Sequence, residues 1–105
     1  MTDPRFIYIT CKDKEEALQV GKAVVNARLA ACANILPGME SIYWWQGELV
    51  SDQEVVLVLK STQSHVPGIV AKVKEVHSYS VPCIVALPIL DGHPEYLQWI
   101  AQETS

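Results

Sequence analysis

Three cysteines and three histidines are the soft donors and nucleophiles of this 105-residue chain. Cys32 lies in Leu29-Ala30-Ala31-Cys32-Ala33 and reads as a small buried hydrophobe. That leaves Cys11, Cys83, His65, His77 and His93. No pair of them has the C-x-x-C or H-x-x-x-H spacing that makes a metal site visible locally. A site must therefore be assembled from distant segments. Cys11 ends one apolar run, His77 ends a helical pattern, and Cys83 opens a later apolar run. Thiolates with an imidazole suit Cu(I) or Zn(II), not Mg or Ca. The expected donor set is Cys11, His77 and Cys83, a modest-affinity site at one end of a sheet. The first and last strands are expected to lie apart in the sheet, so the thiols need not touch, although an antiparallel arrangement brings both to the same end. The plainer reading is that Cys11 and Cys83 are packing residues and His77 caps its helix. An isolated Cys is among the most buried residue types, which favours packing.

Lys60 is a second candidate. A Lys ending an apolar strand can anchor an anion or pair with a carboxylate. No G-x-S-x-G, P-loop or dinucleotide glycine fingerprint is present. A Cys83–His77 nucleophile pair has no support in the spacing. No catalytic role is expected.

Composition narrows the classes further. Half the residues are apolar and only 19% are charged, so there is more apolar material than one small core readily hides. No run approaches the roughly 20 apolar residues of a membrane span. Met1-Thr2-Asp3-Pro4-Arg5 lacks the basic-then-apolar order of a signal peptide, so the cytosol is the expected compartment. The net charge of −4 argues against sequence-independent nucleic-acid binding. Self-association is the better explanation of the apolar excess.

The elements that must position these residues follow from periodicity. Arg5 to Cys11 reads as a strand. Asp13, with Glu16 three residues on, forms a capping-box signature for a helix from about Lys14 to Leu29. Ala33 to Leu36 is extended, Pro37-Gly38 interrupts it, and Glu40 to Trp45 continues. Gln46-Gly47-Glu48 is a turn, and Leu49 to Ser61 is a third strand. Ser64 caps a second helix that has Pro67 in its first turn. Cys83 to Leu90 is a fourth strand, and Asp91-Gly92-His93-Pro94 starts a short helix with Tyr96, Leu97, Trp99 and Ile100 on its apolar side. The order is that of a single α+β domain, a ferredoxin-like β-α-β-β-α-β sandwich with an extra C-terminal helix. At about 3.3 Å per residue the third strand spans roughly 43 Å. A compact domain of this size is only about 34 Å across. The hairpin of strands two and three must therefore overshoot, carrying Tyr43, Trp44 and Trp45 at its tip. Exposed aromatics on a β-edge call for a partner, and neighbouring copies are the economical one.

The chain also resembles a known family. Arg28-Leu29-Ala30-Ala31-Cys32-Ala33-Asn34-Ile35-Leu36-Pro37-Gly38, Ser41-Ile42-Tyr43-Trp44-Trp45-Gln46-Gly47-Glu48, Leu59-Lys60-Ser61, His77-Ser78-Tyr79-Ser80-Val81-Pro82-Cys83 and Tyr96-Leu97-Gln98-Trp99 are similar, in that order, to motifs of the CutA proteins, the divalent-ion tolerance family. Two positions depart from the pattern. Ser78 stands where the family has Pro, and Cys83 where it has Glu. The resemblance implies a tight homotrimer, PII-like in architecture, with Tyr43, Trp44 and Trp45 at the trimer interface. It implies tolerance to copper and other divalent metals. With the soft donors above, copper or zinc is expected as a loosely held ion and no cofactor as obligatory. It also implies a cleft between subunits lined by Lys60, Tyr79 and Trp45. The rival reading is a PII-like regulatory trimer that binds a small molecule or partner protein in those clefts.

Overall fold

A computed structural model describes residues 3–105. Its elements are β1 (Pro4–Cys11), α1 (Lys14–Asn26), β2 (Cys32–Trp45), β3 (Glu48–Thr62), α2 (Val66–Val76), β4 (Ile84–Pro88) and α3 (Pro94–Glu103), with a 3-10 turn at Gln63–His65. The strands form one antiparallel sheet in the order β2-β3-β1-β4. The expected fold class is the one observed, with one correction: strands one and four are neighbours, paired from Arg5↔Pro88 to Ile9↔Ile84. The crossover through α2 carries the chain from β3 over β1 to its far edge, so β1 sits between the two.

The pleat divides the sheet into two faces. Ile7, Ile9, Cys11, Val55, Leu57 and Leu59 form the core with Ala17, Val20 and Val24 of α1 and Ile69 and Val73 of α2. Gly21 lets α1 approach closely, because an added Cβ would stand 3.1 Å from the Cβ of Ala33. On the opposite face α3 reaches the sheet through Tyr96, whose ring lies 6.0 Å from Lys60 Nζ. Only Ile100 of its apolar side is buried, and Tyr96 and Trp99 stay partly exposed. Beside α3, Val85 and Leu87 remain 48% and 47% exposed.

Local signals explain most of the boundaries. Asp13 Oδ1 accepts the Glu16 N–H at 2.8 Å, as the capping box predicts. Helix α1 stops three residues before the expected Leu29. Arg28 adopts φ +62°, the Arg28 N–H bonds to Val25 O, and the Leu29 N–H bonds to Val24 O. That is a Schellman closure with Arg where Gly is usual. Pro37-Gly38 does not end β2. Gly38, at φ +90°, absorbs a register shift between Leu36 and Met39, and the strand continues. Gln46 and Gly47, both with positive φ, make the two-residue turn of a type I′ hairpin. Ser64 is not the cap of the second helix. It lies in the 3-10 turn, where the Val66 N–H bonds to Gln63 O, and α2 starts without a side-chain cap. Cys83 precedes β4, which ends at Pro88 and is shorter than expected.

The hairpin does overshoot. The molecule measures 44 × 25 × 22 Å, and Ile42, Trp44 and Leu49 near its tip are largely exposed.

Candidate functional site

Two clusters lie at the end of the sheet where β1 finishes, one on each face. The first is on the core side. Single donor atoms of Cys11, Glu16 and His77 all lie within 4.8 Å of one another, and all three residues are buried. Glu16 is placed by the capping box, but its side chain does more than cap. Oε1 accepts the Lys12 N–H at 3.0 Å, and Oε2 accepts the Ser78 N–H at 2.9 Å across the gap to the end of α2. Burial pushes this carboxyl up. Hydrogen bonds from Ser78 and Lys12 more than offset that and hold it below its ordinary value. His77 is the C-cap of α2. Its Nε2 lies 2.8 Å from Thr10 O, and its Nδ1 accepts the Tyr79 N–H at 3.1 Å. A carbonyl only accepts, so Nε2 carries the proton and the ring is the neutral tautomer. The Cys11 thiol is pushed up to about 12, first by burial and then by Glu16, Glu54 and Asp13.

This group has the donor types of a soft-metal site, but the donors are engaged. A metal needs a thiolate and a free imidazole lone pair. Here the thiol is strongly protonated, one ring nitrogen holds a proton and the other holds a backbone N–H. The residues do not fit a resident ion as they stand. The hydrogen bonds instead tie three segments together: the end of β1, the start of α1 and the end of α2.

Cys83 is outside this group. Ile9↔Ile84 is the last pair of the β1–β4 ladder, so Cys83 comes beside Thr10, on the face opposite Cys11. A one-residue step along a strand reverses the side chain, which separates the two thiols although they share an end of the sheet. Cys83 is exposed and lines the second cluster, a cavity of about 610 Å³. Glu54, Tyr79, Tyr43, Trp45 and Thr10 line it too. Glu54 Oε2 accepts the Tyr79 hydroxyl at 2.8 Å. Burial and the Glu54 charge raise the Cys83 thiol.

Of the expected cleft residues, Tyr79 and Trp45 meet at this cavity and Lys60 does not. Lys60 lies six residues beyond Glu54 on β3, about 20 Å along an extended strand. Its ammonium donates to Asn34 Oδ1 and faces the Tyr96 ring. Tyr43 lines the cavity as well, while Trp44 points away from it and is 72% exposed. The sequence reading did not include Glu16 among the metal donors. Its signal was present in the capping box, which fixes Glu16 one turn from Cys11.

The family model described as CutA1 divalent ion tolerance protein matches residues 5–103. The chain belongs to the CutA1 family. A CutA relative from Thermus thermophilus, named a divalent-cation tolerance protein, is 50% identical over 98 residues, covering 93% of this chain and 95% of the relative. The mouse protein CutA is 41% identical over 92% of this chain, which spans only 55% of the mouse protein's length. A solved divalent cation tolerance protein from Thermus thermophilus superposes with a TM-score of 0.94 at 48% identity, covering 97% of this chain and 99% of that one. CutA from Xylella fastidiosa superposes at 0.95 with 37% identity, covering 98% and 99%. The assigned role of the CutA family is divalent metal tolerance. Among the described residues no helix is long and apolar enough to cross a membrane.

Proposed function

We propose that this CutA chain serves metal tolerance as a cytoplasmic, non-catalytic homotrimer that meets copper or zinc only weakly and holds no obligatory metal. The observation that carries this reading is the engaged state of Cys11, Glu16 and His77. An ion entering there must strip a proton from a buried thiol and break a hydrogen bond to His77, so its affinity is low. Cys83 is the thiol open to ions from solution. Three unpaired cysteines favour a reducing compartment. The exposed Val85, Leu87, Trp44 and Leu49 support burial against further copies.

Copper titration with a competing chelator tests the metal half. A dissociation constant weaker than about 1 µM is expected, weakened further in the Cys11→Ser, Cys83→Ser double variant. Stoichiometric metal that survives chelator dialysis would overturn weak binding. Unchanged affinity in the double variant would remove the thiols from it. Sedimentation equilibrium at micromolar concentration tests the trimer, and a monomer there contradicts it.

A second reading, a PII-like trimer that binds a small molecule between subunits, is favoured by one observation. Tyr79 and Trp45 share a cavity of ligand size.

A further inference from the structure

We propose that the cavity walled by Glu54, Tyr79, Tyr43 and Trp45 is a binding site for a small organic cation, an ammonium head on an apolar body, with Glu54 as its counter-charge. The proposal rests on the second reading above and names its ligand class.

The central observation is an incomplete carboxylate. Glu54 is only 7% exposed, yet it has no ion-pair partner among the described residues. Its one side-chain hydrogen bond there is from the Tyr79 hydroxyl. A buried charge without a counter-charge is strongly unfavourable, and buried charges are ordinarily paired. No Lys, Arg or His lines the cavity, so the lining itself supplies no cation. Asp52, two residues away on the same side of β3, adds negative charge.

The surroundings select the kind of cation. Three aromatic side chains line the space, and aromatic faces attract ammonium groups. Ile42 and Val81 add apolar wall. The volume of about 610 Å³ lies within the range of small-molecule sites and is far larger than a bare ion needs. A metal is disfavoured because Glu54 and Cys83 are the only strong donors present, fewer than the four a zinc site uses. The lining this chain supplies, with one buried carboxylate and no cation, disfavours an anion. Within the chain Lys60 stands about 20 Å along β3 from Glu54 and donates to Asn34.

The test compares three probes of one shape on the intact assembly: 2-phenylethylammonium, the neutral 2-phenylethanol and the anionic 3-phenylpropionate. Binding is read from the Trp45 indole N–H resonance, assigned with Trp45→Phe. Saturable binding of the ammonium below about 10 mM is expected, at least tenfold tighter than the alcohol, with no binding of the anion. Glu54→Gln, which keeps the acceptor for Tyr79, should weaken the ammonium at least tenfold and leave the alcohol unchanged. Should Glu54→Gln fail to fold, Tyr43→Leu in the same lining provides the second variant and keeps the Trp45 reporter, with several-fold weaker ammonium binding expected. Equal affinity for ammonium and alcohol would overturn the proposal. So would full ammonium affinity in either variant, or no saturation by any probe, the outcome if a second copy fills the cavity. Copper affinity and sedimentation are separate readouts, so failure here leaves the metal-tolerance reading intact and identifies the ligand class as the error.

Discussion

Glu16 and Glu54 are both buried acids near the same end of the sheet, and they are solved differently. Glu16, on the helix side, has each oxygen accepting a backbone N–H. Glu54, by the cavity, has a single tyrosine hydroxyl and, among the described residues, no cation. A fully satisfied polar cluster rigidifies a fold, whereas a partly satisfied one points to a missing partner. The first cluster is therefore read as a structural knot, and the second as a place where something binds.

The knot can be broken most severely at His77. His77→Ala removes both ring contacts and leaves Glu16 beside a void, so a loss of about 3 kcal/mol or more is expected in denaturant unfolding. A near-neutral effect would show that the knot contributes little. Cys11→Ser should come next, at about 1–3 kcal/mol, because a hydroxyl replaces a fully buried thiol packed in the core. Cys83→Ser, on the exposed side, should change stability by less than about 0.5 kcal/mol. Similar losses for the two would dissolve the distinction between the faces. The same contrast predicts selective alkylation: Cys83 reacts in the native protein and Cys11 does not.

Acid stability sharpens the comparison from the Glu16 side. Its carboxyl is held below its ordinary value in the folded state. The unfolded chain therefore binds the proton more readily. The contribution of Glu16 is fully present above its unfolded value of about 4.3 and is lost as pH falls through the lowered folded value. Glu16→Gln should flatten this acid limb, seen as a smaller fall in melting temperature with decreasing pH. An unchanged slope would mean that the hydrogen bonds to Lys12 and Ser78 do not bias the proton.

Much of this was legible in the sequence, because local rules set it. Asp13 and Glu16 announced the α1 cap, Gln46-Gly47 announced the turn, and the length of strand three announced the 44 Å long axis. The misses are questions of direction and crossing. Placing strands one and four apart overlooked that α2 crosses β1. Grouping Cys83 with Cys11 ignored the pleat, in which one residue of offset changes the face. The second reach of Glu16, to the Ser78 N–H, joins residues 62 apart and has no local sequence signal.

The most direct measurement is the stability of Glu16→Gln against Glu54→Gln in one denaturant series, on the assembled protein without added ligand. At Glu16 both oxygens accept N–H groups, so an amide must turn its NH2 toward a donor, and a loss of about 1–3 kcal/mol is expected. At Glu54 the amide oxygen can still accept from Tyr79 while the unpaired charge disappears, so stability should hold or rise. Opposite or clearly unequal effects in that order support the division into knot and binding site. An equal or larger loss at Glu54 would contradict it, and would mean that a cation from a second copy already completes that carboxylate.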